Sequence, residues 1–128
     1  MKRVRDLSGV EIPSALVHPY VAVRDGNRVA TAYFDTHRVR TLPETLMIVV
    51  SPDGSVKHME VIVFREPLEY LAKAQWYEQF LNQRLGSQLA LKRDIDALTG
   101  ATLTARATTD AVRRTLAIHQ VIGEATSS

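Results

Sequence analysis

Hydroxyl side chains and a glycine are concentrated in one short stretch of the chain, Asp96 to Thr104. Thr99, Thr102 and Thr104 supply the hydroxyls, and Gly100 allows a ligand to approach closely because it has no Cβ. An amphipathic segment follows directly, so the stretch is predicted to lead into a helix. The first turn of a helix has unpaired N–H groups and a partial positive charge, which favour an anion such as phosphate. This stretch is therefore the best phosphate-binding candidate in the sequence.

The motif Asp96-x-x-Thr99-Gly100-Ala101-Thr102 resembles the flavinylation signature of the FMN-binding domain family. That family includes the C subunit of the sodium-pumping NADH:quinone reductase and the G subunit of the Rnf electron-transport complex. The resemblance implies that FMN is the cofactor and that Thr102 receives it through a phosphoester bond. It also implies a dedicated flavin transferase, which makes this bond from FAD with a magnesium ion. The other residues implied to bind the cofactor here are Asp96, Thr99, Gly100, Ala101, Leu103 and Thr104.

An ordinary helix-capping loop is the competing interpretation of this stretch, because Thr and Asp are common caps. Five matching positions immediately before an amphipathic helix favour the flavin interpretation. Many family members also carry a Glu-Thr-Pro-Gly-type loop after the second strand, which packs against the flavin ring. In this chain Glu66 and Pro67 keep part of that pattern, and the Thr and Gly are missing.

The resemblance covers roughly residues 44 to 122, and it implies ring contacts from Glu66 and Pro67. Further candidates to tune the ring are Arg38 and Arg40, because a nearby cation stabilises a reduced, anionic flavin. Tyr70, Trp76 and Tyr77 are candidates because an aromatic side chain can stack on the ring. Each of these residues has a plainer interpretation. Glu66 and Pro67 suit a helix N-terminus, aromatic side chains such as Trp76 often belong to a core, and Arg113 and Arg114 are interpreted as the solvated face of the closing helix.

Two pairs of extended runs precede the helical segments. Val21 to Val23 and Val29 to Phe34 flank the turn Asp25-Gly26-Asn27, which predicts a hairpin. A polar connection is expected from Asp35 to Pro43. The runs 46–50 and 59–64 flank Ser51-Pro52-Asp53-Gly54, and they are predicted to pair as central antiparallel strands.

Two helices are predicted from the apolar spacing, one from Pro67 to about Gly86 and one from Ala105 to about Ile122. A short strand is expected around Leu89 to Leu91. The fold class is therefore α+β, with an antiparallel sheet of about four to six strands packed with two main helices. The expected organisation is an N-terminal arm at 1–19, an FMN-binding domain at 20–122 and a tail at 123–128.

Composition excludes several other classes of protein. The chain has no cysteine, which rules out disulfides, thiol catalysis and cysteine-ligated metal sites. Its four histidines form no metal-type cluster, so no metal site is predicted. Sixteen Lys and Arg are nearly balanced by 14 acidic residues and form no stripe, which argues against nucleic-acid binding. No run approaches the length of about 20 apolar residues that spans a bilayer, so no membrane span is expected in this chain.

The leading functional hypothesis is an electron-transfer flavoprotein domain that serves a redox partner protein or a membrane electron-transport complex. No catalytic residue is predicted, and an oxidoreductase component is favoured over a self-contained enzyme. The alternative is a non-redox accessory or ligand-binding domain of the same fold, which holds FMN weakly or not at all. A hydrolase is a distant third hypothesis. The family resemblance places the domain on the extracytoplasmic or periplasmic side of a bacterial membrane, with the cytoplasm as the alternative because the N-terminus resembles no export signal.

Overall fold

The computed structural model describes residues 19–39, 41–67, 74–86 and 102–126. Within these ranges the fold is a four-stranded antiparallel sheet with one long helix and one short helix. The strands lie in the order β1-β2-β3-β4, so each strand pairs with its neighbour in sequence. Their bounds are Tyr20–Arg24 (β1), Asn27–Arg38 (β2), Pro43–Val50 (β3) and Val56–Phe64 (β4). The predicted α+β class is confirmed.

Both predicted turns are present, and each has a definite local cause. Asp25 and Gly26 join β1 to β2 with φ values of 53° and 80°, the positive pair that a two-residue type I′ hairpin requires. At the second turn Gly54 has φ 88°. Asp53 fixes that turn, because its Oδ1 accepts bonds from the Ser55 amide at 3.0 Å and the Ser55 hydroxyl at 2.6 Å.

The core lies between one face of the sheet and the helices. Burial alternates strictly along β3, where Leu46, Ile48 and Val50 are buried and the residues between them are partly exposed. Such alternation is what a strand shows when only one of its faces is packed. The buried side chains of β3 belong to one cluster with Phe80 and with the helical Val112.

The helices differ from their predicted bounds. Helix α1 covers Ala74–Tyr77 and continues as a 3-10 turn over Glu78–Phe80. The predicted continuation to Gly86 is wrong, because Leu81 is already extended, with ψ 135°, and Asn82 has φ 69°. Helix α2 covers Thr102–Thr126. It therefore starts three residues before the predicted Ala105 and continues past the predicted boundary at Ile122.

One strand prediction also needs correction. The stretch from Asp35 was predicted as a polar connection, but β2 continues through Arg38 and pairs with β3 along its whole second half. Strand β4 pairs with β3 as predicted, and it is the last strand of the described sheet. The predicted strand around Leu89 to Leu91 lies outside the described residues. No helix among the described residues is both long and apolar enough to cross a membrane.

Candidate flavin site

Helix α2 runs antiparallel to β2, and two side-chain contacts fix this direction. On β2, the Tyr33 hydroxyl lies 2.9 Å from Nδ1 of His119 on α2. Two residues further along β2, Asp35 accepts two hydrogen bonds from the guanidinium of Arg114, at 2.8 and 3.1 Å. Each step toward the end of β2 thus corresponds to a step toward the beginning of α2.

This direction places the N-terminus of α2 at one end of the sheet. From Arg114 back to Thr102, the helix extends about 18 Å at a rise of about 1.5 Å per residue. A strand covers that length in roughly five residues at about 3.3 Å each. Counted from Asp35, this reaches the connection between β2 and β3. The first turns of α2 therefore lie toward the end of the sheet that carries the β2–β3 connection.

The β2–β3 connection is held to the end of β4 by one buried carboxylate. Oε1 of Glu66, whose residue is only 6% exposed, accepts the backbone N–H groups of Thr41 at 2.7 Å and Leu42 at 2.9 Å. The amide of Arg65 also donates to the carbonyl of Pro43 at 3.3 Å. These bonds give this end of the sheet a defined shape.

Several predicted site residues belong to the elements at this end of the sheet. Thr102 is the first residue of α2, and the next residue, Leu103, is 49% exposed. Leu42, in the β2–β3 connection, is 43% exposed and offers a second apolar surface. Pro67 is also exposed, while Thr104 is buried within the first turn of α2.

Other predicted site residues take structural positions or lie outside the described ranges. Trp76 is half-buried and makes edge-to-face contacts with Tyr77 and Phe80, at ring-centroid distances of 5.2 and 5.3 Å. Arg38 is exposed at the end of β2, and Tyr77 is buried. The predicted site residues outside the described ranges are Arg40, Tyr70, Asp96, Thr99, Gly100 and Ala101.

A buried network of charged side chains, which the sequence analysis did not identify, lies beneath this end. Nδ1 of His37 lies 2.9 Å from Asp35 and its Nε2 lies 2.7 Å from Glu44, and Asp35 pairs with Arg114. We call these four residues the buried charge network. Arg114, interpreted from sequence as part of the solvated face of its helix, is buried. That interpretation is wrong because Arg114 faces Asp35 on the packed side of β2.

Burial and pairing act in opposite directions on the pKa values in this network. Burial alone would raise the pKa of Asp35, but its hydrogen bonds to His37 and Arg114 outweigh burial and lower it below the usual range. Burial alone would lower the pKa of His37, but the hydrogen bonds and charges of Asp35 and Glu44 raise it. Both shifts favour the charged form of the residue.

A periodicity of two could have revealed this network from sequence. Asp35 and His37 continue the inward-facing positions of Thr31 and Tyr33 on β2. Because the strand was predicted to end at Phe34, Asp35 and His37 were not assigned to its inward face. Polar residue types at inward positions resemble a loop when they are judged by composition alone.

An open groove of about 360 Å³ lies at the other end of the sheet, near the β3–β4 turn. Gly54, Arg84 and His119 are among the residues that line it. His119 is separated from Thr102 by 17 positions of α2, so this groove is remote from the predicted phosphate site.

A family model described as an FMN-binding domain matches residues 42–117. The chain belongs to the FMN-binding domain family. Its cofactor is accordingly FMN, and the chain is an FMN-carrying flavoprotein domain. The match begins within the β2–β3 connection and includes β3, β4 and most of α2, while the β1–β2 hairpin precedes it. Comparisons with curated proteins and with solved structures found no match.

We call the end of the sheet with the β2–β3 connection and the start of α2 the flavin end. Its described residues suit the chemistry of FMN. The first turn of α2 contains no acidic residue, so no carboxylate of that turn competes with a phosphate for its positive end. The N–H groups of a helix's first turn are suitable phosphate donors. The exposed side chains of Leu42 and Leu103 provide apolar area at the same end of the sheet, as a flat aromatic ring requires. When bound, FMN supplies one- and two-electron redox chemistry.

Proposed function

We propose that this domain is an electron carrier whose FMN is attached through its phosphate to the hydroxyl of Thr102. The observation that supports the proposal most directly is that α2 begins at Thr102 itself. The acceptor hydroxyl therefore belongs to the first residue of a long helix, where a phosphate diester, with one negative charge, is favoured by the helix dipole. The matching Asp96-x-x-Thr99-Gly100-Ala101-Thr102 motif identifies the same residue.

The attachment reaction follows from the chemistry of a threonine hydroxyl, which is a poor nucleophile at neutral pH. We propose that a separate flavin transferase activates it and uses FAD as the donor. The bond between the Thr102 oxygen and the FMN phosphorus forms as the pyrophosphate bond of FAD breaks. AMP leaves, and the hydroxyl proton is released to the solvent. No oxidation or reduction occurs in this step.

The domain's own residues position the cofactor. The bonds from Glu66 to the β2–β3 connection fix the loop that carries Leu42, and we propose that this loop and Leu103 contact the flavin ring. In this account the domain exchanges electrons with a redox partner protein or a membrane electron-transport complex. It acts on the extracytoplasmic side of a bacterial membrane, where the flavin transferases of the family work.

Co-expression with a flavin transferase tests the attachment. The wild-type chain should gain the mass of one FMN less one water, and Thr102→Ala should gain nothing. Thr102→Ser is the matched control, because it keeps the hydroxyl and should keep the adduct. Retention of the adduct by Thr102→Ala would show that another residue is the acceptor.

A redox titration of the loaded domain tests electron transfer separately. Reversible bleaching and recovery of the flavin absorbance during repeated reduction and oxidation would support the carrier role. A domain that binds FMN only weakly and releases it during the titration would favour the alternative of a non-redox accessory domain.

A further inference from the structure

His37 is held between two carboxylates on neighbouring strands. Its Nδ1 lies 2.9 Å from Asp35 of the same strand, and its Nε2 lies 2.7 Å from Glu44 of β3. An ionised carboxylate can only accept a hydrogen bond, so each ring nitrogen donates when both carboxylates are ionised. A neutral imidazole has only one N–H, so this arrangement is that of an imidazolium.

This cation is out of solvent and is surrounded by charge. The side chains of His37 and Glu44 are 7% and 0% exposed. The titratable and charged groups near His37 come from each packed element: Asp35 on β2, Glu44 on β3, Asp110 and Arg114 on α2, and Tyr77 of α1 beside Glu44. Burial and the neighbouring Glu44 both raise the pKa of Tyr77, so its hydroxyl stays neutral.

The network joins the helix to two strands. Arg114 of α2 bonds to Asp35 of β2, Asp35 bonds to His37, and His37 bonds across to Glu44 of β3. Two positive and two negative charges balance within these four side chains. Glu44 directly follows Pro43, at the base of the β2–β3 connection.

Glu44 depends on His37 more than on any other described side chain. The Tyr77 hydroxyl faces Glu44 and Thr108, but it carries no charge. Among the described residues, His37 is therefore the charged partner of the fully buried Glu44 carboxylate, at 2.7 Å. Without its ring, Glu44 would lose that partner in a buried site, which is strongly unfavourable.

We propose that His37 is a positioning residue for the flavin site: as an imidazolium bonded to Asp35 and Glu44 at once, it holds Asp35 in place for Arg114 and so helps to fix where helix α2, which begins at Thr102, stands against the sheet. The inference rests on the proposed attachment of FMN at Thr102. A glutamine in its place carries no charge and cannot donate to two carboxylates on opposite sides. The start of α2 should then lose its fixed position relative to the β2–β3 connection.

The flavin-free chain provides the first test. We expect nitrogen-15 NMR to show both ring nitrogens of His37 protonated at about pH 7.5, one unit above the ordinary histidine pKa of about 6.5. In His37→Gln, the hydrogen-exchange protection of the amides between Leu103 and Ala111 should fall by roughly tenfold or more. His58→Gln is the matched control, because His58 is exposed on β4, and it should leave this protection unchanged. A neutral His37 ring, or unchanged protection in His37→Gln, would overturn the proposal.

The loaded chain provides the second test. We expect the transferase to modify His37→Gln roughly ten- to a hundredfold more slowly than the wild type, because a small misplacement of a reacting group lowers the reaction rate by about that factor. It should modify His58→Gln at the wild-type rate. Equal rates for His37→Gln and wild type would count against the proposal. If His37→Gln does not fold, Glu44→Gln replaces it, because it keeps an acceptor and lowers the pKa of His37. A wild-type chain that takes up no FMN would contradict the attachment at Thr102, while the exchange measurement would still decide whether His37 positions the helix.

Discussion

Removal of the Arg114 guanidinium takes away two of the hydrogen bonds to Asp35, at 2.8 and 3.1 Å. The side chains of Arg114 and Asp35 are 8% and 12% exposed, so the remaining carboxylate cannot be solvated in place. Loss of one partner of a buried ion pair costs about 3–5 kcal/mol. Because Asp35 keeps its bond to His37, we expect Arg114→Ala to lower the free energy of unfolding by about 3 kcal/mol, at the low end of that range.

Arg113→Ala is the matched control, one residue away on the same helix. The Arg113 side chain donates to the carbonyl of Gly86 at 2.7 Å in an exposed position, so its loss should cost less than about 1 kcal/mol. Urea denaturation followed by circular dichroism measures both variants in the flavin-free chain. A double-mutant cycle with Asp35→Asn should show a coupling energy above about 1 kcal/mol. If Arg114→Ala and Arg113→Ala were equally stable, the buried network would contribute nothing and the reasoning would be refuted.

Three further predictions follow from burial and electrostatics. Phe80→Ala should lower the free energy of unfolding by about 3–5 kcal/mol because Phe80 is fully buried, whereas Phe34→Ala, at a half-exposed position, should cost less than about 1 kcal/mol in the same denaturation assay. The hydrogen bonds from Ser55 and Arg84 lower the pKa of Asp53 to about 2, and a carboxyl NMR titration should find this value. The stability that Asp53 provides should be fully present above its unfolded pKa of about 3.9, and it should be lost as the pH falls through about 2. The stability that His37 provides should depend on pH in the opposite direction, because its folded pKa is raised. It should be greatest below about pH 6.5 and should fall as the pH rises through the folded pKa. The difference in free energy of unfolding between wild type and His37→Gln measures it.

Turn chemistry and hydrophobic alternation made the sheet predictable from sequence. Asp25-Gly26 and Ser51-Pro52-Asp53-Gly54 each require a particular backbone geometry. The apolar run of β3 has the length and composition of a buried strand. These local signals act within a few residues, so they hold whatever the rest of the chain does.

The errors arose where tertiary contacts override local composition. Asp35 and His37 are polar residues at inward positions, and only the partners across β3 and α2 make those positions favourable. The helix predicted to reach Gly86 ends at Phe80 because the chain turns back to pair with β4: Asn82 donates to the carbonyl of Val56, and Val56 donates to that of Gln83. Apolar spacing does not contain that information.

The proposed acceptor motif could be found from sequence for a different reason, because it is a contiguous stretch. Helix α2 begins at the last residue of that motif, Thr102. Glu66 has in addition a structural contribution that the sequence did not predict, because its carboxylate accepts the backbone N–H groups of Thr41 and Leu42. A contact 25 positions away in the chain has no local signature.

The most direct test of the account is to digest the protein purified from its native host and to sequence, by tandem mass spectrometry, the peptide that contains the start of α2. We predict an FMN phosphoester on Thr102, and an unmodified threonine at Thr99 and Thr104. A native peptide without flavin, in cells whose flavin transferase is active, would contradict the central claim.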